Sequence, residues 1–399
     1  MRLLYLTAET CPTFRADVAA LFGKYLPRRG VFSDIVTGHT PGHVGKPEWG
    51  GGDTYLFDIS GGQANKHIKT LMHGIKHLFA ADRTRYQAIQ VRDMPVLAAF
   101  GLLAARMKGL PFYYWMSFPM PEGQIDLARE RRLSAGLMKF LFPWVSGRVG
   151  KFLLYRVVLK RADHVFVQSD RMMEDMTAFG VSRARMTPVP MGVDMESIRL
   201  EDIPPAEHPR LKGRRVLIYL GNMDRPRRIE MLFEVLALVI RQLPEALLVM
   251  AGDTEDSVHR KWLMQQADKA GVANDVLWTG WLPIQEGWRY VRAAEIGFSP
   301  IPRGALLDVG SPTKVPEYLA LGIPVICNDN PDQAKVVRES GAGICVPYSV
   351  EAFATAALDL LREGEADKDS LVSGADYVKA HRSYEQISLR LAEAYGNVV

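Results

Sequence analysis

The sequence predicts an α/β protein made of two facing doubly wound, Rossmann-like domains. Three observations predict it. Short apolar runs that read as strands alternate with segments of helical period. That alternation occurs twice, on either side of a polar, proline-rich stretch. The 399 residues are also enough for two domains of ordinary size. A content of 48% hydrophobic and 24% charged residues fits a soluble globular chain.

In the first half, strands are predicted at Leu3 to Leu6, Phe32 to Val36, Ala88 to Val91, Phe112 to Trp115 and His164 to Val167, each followed by a helical period. The opening Met1-Arg2-Leu3-Leu4-Tyr5-Leu6-Thr7 has too short an apolar run for a signal peptide, so a cytoplasmic location is expected. Gly50-Gly51-Gly52 and Gly61-Gly62 read as loops, because neither follows a strand and opens a helix as a phosphate cradle would. Glu201 to Pro209 is polar, proline-rich and without an apolar face, which sets a first domain over 1–200 and a linker over 201–213. The second domain, 214–375, has strands at Val216 to Leu220, Leu247 to Met250, Val276 to Thr279, Ile296 to Ser299 and Val325 to Cys327. A tail of two helices joined near His381 follows, its last part over 376–399. Two such domains leave a cleft at the carboxyl ends of their strands, where open α/β sheets bind ligands.

The stretch Leu307 to Ile326 concentrates anion-binding chemistry in one βα unit. Gly310, Ser311, Pro312 and Thr313 are expected to open a helix in which Ser311 caps and Pro312 fills the first turn, with free amides directed at a ligand. Lys314 adds a positive charge, and Glu317, three residues on, suits ribose hydroxyls better than phosphate. An ordinary capped helix with a surface Lys–Glu pair is the competing reading. Gly322 ends the helix and a buried strand begins at Pro324.

Cys11, Cys327 and Cys345 are too far apart in sequence for a zinc motif and odd in number, so a reducing compartment and no structural metal are expected. The net charge of +4 is modest, and no nucleic-acid partner is expected. Charge is uneven, however. Leu127 to Arg161 holds Arg129, Arg131, Arg132, Lys139, Arg148, Lys151, Arg156, Lys160 and Arg161 against Glu130 alone, interleaved with apolar residues such as Phe140, Phe142, Trp144 and Phe152. Two readings stand: an amphipathic element that lies on an anionic membrane surface, or a pair of amphipathic helices, broken near Pro143, whose apolar face meets the core and whose basic face is merely solvated.

Taken in order, Ala162 to Ser169, Val189 to Asp194, Tyr219 to Asn222, Val276 to Gly280 and the block around Glu317 resemble the GT-B glycosyltransferases of family 4 over nearly the whole chain. The resemblance implies a retaining transferase that uses a nucleotide-sugar donor, with a closing helix around Arg382 to Tyr395 that returns to the first domain. It places the donor diphosphate at the loop Gly221 to Ile229, where Arg228 stands for the family's Lys and Asn222 for its Arg. Arg225 or Arg227 could restore the missing charge. Of the family's Glu-x7-Glu pair only Glu317 is present; Val309 occupies the other position, beside Asp308, and Ser311, Pro312, Lys314 and Glu317 are closer to a Ser-Pro-x-Lys-x-x-Glu version. In place of the family's paired glycines after the first strand stand Pro12-Thr13, so Thr13 and Phe14 would present amides, with Arg15 as a nearby charge. Ser117 lies near the position of the family's His. Trp281 and Leu282 would meet the nucleobase, Trp281 by stacking.

Placed cations and helix-start amides would stabilise the departing diphosphate, a role given to Arg228, Lys314 and the Ser311 turn, with Ser117 on the acceptor side. Without an Asp-x-Asp motif the reaction is expected to need no metal and no cofactor. The acceptor is expected to be a saccharide or lipid-linked saccharide. A nucleotide-sugar 2-epimerase on the same architecture and a non-catalytic partner subunit are the alternatives. A nicotinamide dehydrogenase fits worse, because no Gly-x-Gly-x-x-Gly follows an early strand.

Overall fold

The structure, a computed structural model, describes residues 1–13, 15–39, 49–131, 137–362 and 368–398. It divides into two compact units: Met1–Met191 with Tyr384–Val399, and Gly192–Ser383.

In the first unit the strands are β1 (Arg2–Leu6), β2 (Phe32–His39), β3 (Thr54–Asp58), β4 (Ala88–Arg92), β5 (Phe112–Met116), β6 (His164–Val167) and β7 (Met186–Pro188). They pair in the order β3-β2-β1-β4-β5-β6-β7, all parallel. Leu3, Leu4, Tyr5 and Leu6 are all buried, as a continuous apolar run must be in a sheet covered on both faces. The helices are α1 (Gln63–Ala80), α2 (Pro95–Lys108), α3 (Met120–Arg131), α4 (Leu137–Phe152), α5 (Leu159–Arg161) and α6 (Asp170–Ala178). From β3 onward the chain advances in one direction across the sheet, so right-handed crossovers put α1, α2, α4 and α6 on a single face. The β1-to-β2 connection runs the other way, and its helical segment Asp17–Tyr25 lies on the opposite face with the C-terminal helix Tyr384–Val398. There Tyr384, Ile387, Leu391 and Tyr395 recur at helical spacing and join Leu3, Leu21 and Phe22 in one core.

The second unit holds β8 (Arg215–Leu220), β9 (Ala246–Ala251), β10 (Val276–Gly280), β11 (Ile296–Ser299), β12 (Val325–Asn328) and β13 (Gly343–Val346) in the parallel order β10-β9-β8-β11-β12-β13. Its helices are α7 (Met231–Ile240), α8 (Ser257–Lys269), α9 (Ile284–Arg292), α10 (Lys314–Ala320), α11 (Pro331–Ser340), α12 (Val350–Arg362) and α13 (Lys368–Tyr377); α14 is Tyr384–Val398. One core lies under α7, α8 and α12, the other under α9, α10 and α11.

Each strand expected from sequence is present. β3, β7 and β13 were not expected, and all three are edge strands. An edge strand need not be apolar on both faces: β3 buries only Phe57, and β7 has three residues ending in a proline. The expected break near Pro143 is absent, since α4 runs through that residue at the loss of one backbone hydrogen bond.

Candidate functional site

At the carboxyl end of the second unit's sheet, three neighbouring strands finish in glycines with positive φ: Gly221 (φ 133°), Gly252 (φ 122°) and Gly280 (φ 70°). A Cβ on Gly252 would lie 2.3 Å from the Gly221 carbonyl oxygen, so only glycine lets these two turns close on each other. A Cβ on Gly221 would stand 3.2 Å from Lys314 Nζ. Lys314, the first residue of α10, therefore reaches from the connection after β11 to the turn after β8. Those two central strands flank the point where chain order reverses, the usual ligand position in such sheets.

Tyr318 fixes α10 in that position. Its hydroxyl accepts from Leu220 N at 2.9 Å and donates to Phe298 O at 3.4 Å, tying the helix to β8 and β11 at once. Gly297 makes room, since a Cβ there would meet the Tyr318 ring at 2.4 Å. The ammonium of Lys314 lies 4.9 Å from the centre of the Tyr219 ring, and Tyr219 Oη donates to Asn222 O at 2.8 Å, which braces the loop.

Burial, reinforced by Arg227, lowers Lys314 to about 7 against the pull of Glu317. Burial raises Glu317 to about 7, opposed by Lys314. Among the described residues no carboxylate lies within ion-pair distance of Lys314 or Arg227. A buried ammonium with an arginine charge acting on it and no carboxylate within ion-pair distance forms a site an anion would complete.

The other candidates fall in different surroundings. Arg228 takes a left-handed conformation (φ 47°, ψ 44°), with its side chain 67% exposed and 3.9 Å from Glu230, and its carbonyl accepts from Tyr348 Oη. Arg225 pairs with Asp256 at 3.2 Å. Of the three arginines, Arg227 is the one whose charge acts on Lys314. Ser311 does not cap: α10 starts at Lys314 with Thr313 in the N-cap position and no side-chain cap, while Ser311 Oγ donates to Asp332 at 2.7 Å. Asp332 is in turn paired with Arg382 at 2.7 Å, so Ser311 belongs to a buried tether of the unit. Pro312 precedes the helix, and the Gly310 amide turns back to Leu307 O at 3.2 Å. Asp308 is held by Arg303 at 2.8 Å, and Val309 is buried. Trp281, 55% exposed, and Leu282 follow β10, two strands away from β8, with the indole open to a flat ligand.

The first unit carries a second cluster at the carboxyl ends of β1, β4 and β5. Ser117 N donates to Asp93 Oδ1 at 2.8 Å and Ser117 Oγ donates to Asp93 Oδ2. Arg15 Nη2 donates to Ser117 Oγ at 3.2 Å, while its Nε meets Asp17 at 3.2 Å. Arg92, buried, bonds Asp17 at 2.7 Å and lies 3.4 Å from Asp93. Burial raises Asp93 above the usual carboxylate range despite Arg92, Ser117 and Arg15. Burial also pushes on Asp17, but Arg92 and Arg15 outweigh it and lower that carboxyl. Asp93 adopts a positive φ of 53°, a strained position for a residue with a side chain. Thr13 Oγ1 accepts from Arg15 N at 3.1 Å, so it shapes this turn. Phe14 lies outside the described residues.

Sequence reading missed Arg92 and Asp93. The available signal was the charge pair Arg92-Asp93 closing a fully buried strand that also holds the polar Gln90. No group of three His, Cys, Asp or Glu side chains suited to a metal occurs among the described residues.

Two parallel doubly wound units, each with its polar cluster at the strand ends, define the GT-B class of fold. Residues 214–363 match the family described as glycosyl transferases group 1, and residues 16–192 match the glycosyl transferase 4-like domain. The chain belongs to this group 1, GT4-like glycosyltransferase family and is a transferase. Among solved structures it is similar to sucrose-phosphate synthase from Thermosynechococcus elongatus, at 17% identity and a TM-score of 0.72 over 100% of this chain and 99% of that one. It is similar to HepE from Anabaena in complex with UDP and glucose, at 15% identity and a TM-score of 0.68 over 100% of both chains. It is also similar to WaaG, a glycosyltransferase involved in lipopolysaccharide biosynthesis, at 13% identity and a TM-score of 0.68 over 98% of this chain and 99% of that one. At these identities the likeness concerns the fold. Comparison with curated protein sequences finds no match.

Proposed function

We propose that the protein transfers a sugar, with retention of configuration, from a nucleoside-diphosphate sugar to a saccharide or lipid-linked saccharide at a membrane surface. The observation that carries this reading is Lys314, buried beside the Gly221 turn with no carboxylate within ion-pair distance and with the charge of Arg227 acting on it. A pyrophosphate would supply their counter-charge, and stabilising it as it departs lowers the barrier to breaking the sugar–phosphate bond. Lys314 and Arg227 would do this without a metal ion. Glu317, on the same helix, would accept from ribose hydroxyls, and Trp281 would cover the base. HepE, solved in complex with UDP-glucose, supports a donor of this class on this fold. On the acceptor side, Ser117 donates to Asp93 and accepts from Arg15, which leaves one oxygen lone pair for an acceptor hydroxyl.

A thermal-shift screen of nucleoside diphosphates and their sugars tests the donor reading. One nucleotide should stabilise the wild type above the others, and Lys314→Met should lose most of that stabilisation. Absence of stabilisation by every nucleotide, or full stabilisation of Lys314→Met, would contradict it.

A further inference from the structure

The exposed apolar side chains of the first unit collect on adjacent helices. α1, α2 and α4 share one face of the sheet, α1 touches α2, α2 touches α4, and the rings of His67 on α1 and Phe142 on α4 lie 5.8 Å apart. Outward on α1 stand Ile68 and Met72, on α2 Leu103 and Met107, and on α4 Phe142 and Phe152, each between 52% and 68% exposed. Six large apolar tips on three touching helices are costly to leave in water and mark a contact surface.

Charge identifies what covers it. The three helices, 18, 14 and 16 residues long, carry eight Lys and Arg and no Asp or Glu. At the mean acidic content of the chain, 45 in 399 residues, about five acids would be expected there. Part of this charge is compensated from outside, Lys69 by Asp58 at 3.7 Å, Arg106 by Asp163 at 3.2 Å and Lys151 by Glu122 at 3.1 Å. Lys66, Lys76, Lys108 and Arg148 have no carboxylate partner among the described residues, and Arg148 lies over the Trp144 ring at 5.2 Å. The field stops at α6 on the same face, which contains Asp170, Glu174 and Asp175. No helix among the described residues is long and apolar enough to cross a membrane. A surface of apolar tips, cationic rim and an Arg-backed tryptophan, whose bordering acids Asp58, Glu122 and Asp163 are each paired with one of its own cations, matches the headgroup layer of an anionic bilayer.

We propose that α1, α2 and α4 together form a seat for an anionic phospholipid bilayer, with the apolar tips entering the headgroup–acyl boundary and the lysines and arginine meeting lipid phosphate. This extends the reading of a membrane-surface acceptor from the 127–161 stretch to two helices, α1 and α2, that lie outside it.

Flotation of the full chain with phosphatidylcholine vesicles, alone or containing about one third phosphatidylglycerol, tests it. The wild type should float with the anionic vesicles only and be released by high salt. A variant of α1 alone, Lys66→Ser with Ile68→Ser and Met72→Ser, should partition at least about tenfold less, whereas Arg171→Ser on α6 should float as the wild type. Circular-dichroism melting confirms that the variants fold. Equal flotation of the α1 variant, equal binding to uncharged vesicles, or no flotation at all would overturn the proposal. The nucleotide thermal shift, measured on the same α1 variant, should be unchanged, so a failed flotation leaves the donor reading standing, and a failed thermal shift leaves the lipid seat standing.

Discussion

At the strand ends of the second unit, the charge of Arg227 acts on buried Lys314, and neither has a carboxylate within ion-pair distance among the described residues. At the strand ends of the first unit, Arg15 and Arg92 are both matched: Asp17 accepts from the two of them, and Asp93 takes Arg92 together with the Ser117 hydroxyl. The same fold element thus carries two electrostatic designs. Cations left without a partner cost stability until an anion arrives, which suits a diphosphate. A network of paired charges presents little net charge and a hydroxyl held between Asp93 and Arg15, which suits an uncharged acceptor.

The largest effect should come from the unmatched cations. Charge-assisted hydrogen bonds contribute roughly 1.5 to 3 kcal/mol, so Lys314→Met and Arg227→Ala should each lower kcat/KM for the donor about tenfold or more. Arg228→Ala should cost far less, because its guanidinium is exposed beside Glu230. Steady-state kinetics in which Arg228→Ala is the more damaging change would reverse the assignment of the phosphate contact.

Asp93→Asn should have the next largest effect. It removes the charged acceptor of the Ser117 hydroxyl and should lower kcat about tenfold while donor KM is unchanged. An equal rise in donor KM would mean that the first unit's network also serves the donor, and the contrast would fail.

The smallest effect is a pH signature. Burial raises Glu317 from 4.5 to about 7, so its contribution to stability is full below pH 4.5 and is lost as pH rises through 7. Burial lowers Lys314 from 10.5 to about 7, so its contribution is present above pH 10.5 and is lost as pH falls through 7. Both make neutral pH the least favourable point for the site. Glu317→Gln should therefore gain in urea midpoint, relative to the wild type, at pH 8 compared with pH 5. A difference that does not change with pH would contradict the burial argument.

Central strands could be read from sequence because burial on both faces leaves an apolar run. The edge strands β3, β7 and β13 could not, because half of that constraint is missing, whereas β10, also at an edge, was legible from its apolar start Val276-Leu277-Trp278. The placement of Lys314 and Glu317 on a helix that follows a strand was legible from their spacing. The left-handed turn at Arg228, which sets how the arginines of this loop are presented, was not, because no local pattern announces it. Asp93 has the same backbone peculiarity. Among the described residues these two are the non-glycine positions with positive φ, and each sits at a strand-end cluster. Ser311 misled in the opposite direction, since a residue type that favours capping was recruited by Asp332 and Arg382, distant in sequence.

The most direct measurement is a crystal structure with the nucleoside diphosphate that stabilises the protein best. Pyrophosphate oxygens should lie within hydrogen-bond distance of Lys314 Nζ and the Arg227 guanidinium, over the Gly221 turn. Pyrophosphate bound elsewhere, with Lys314 and Arg227 left bare, would contradict that placement.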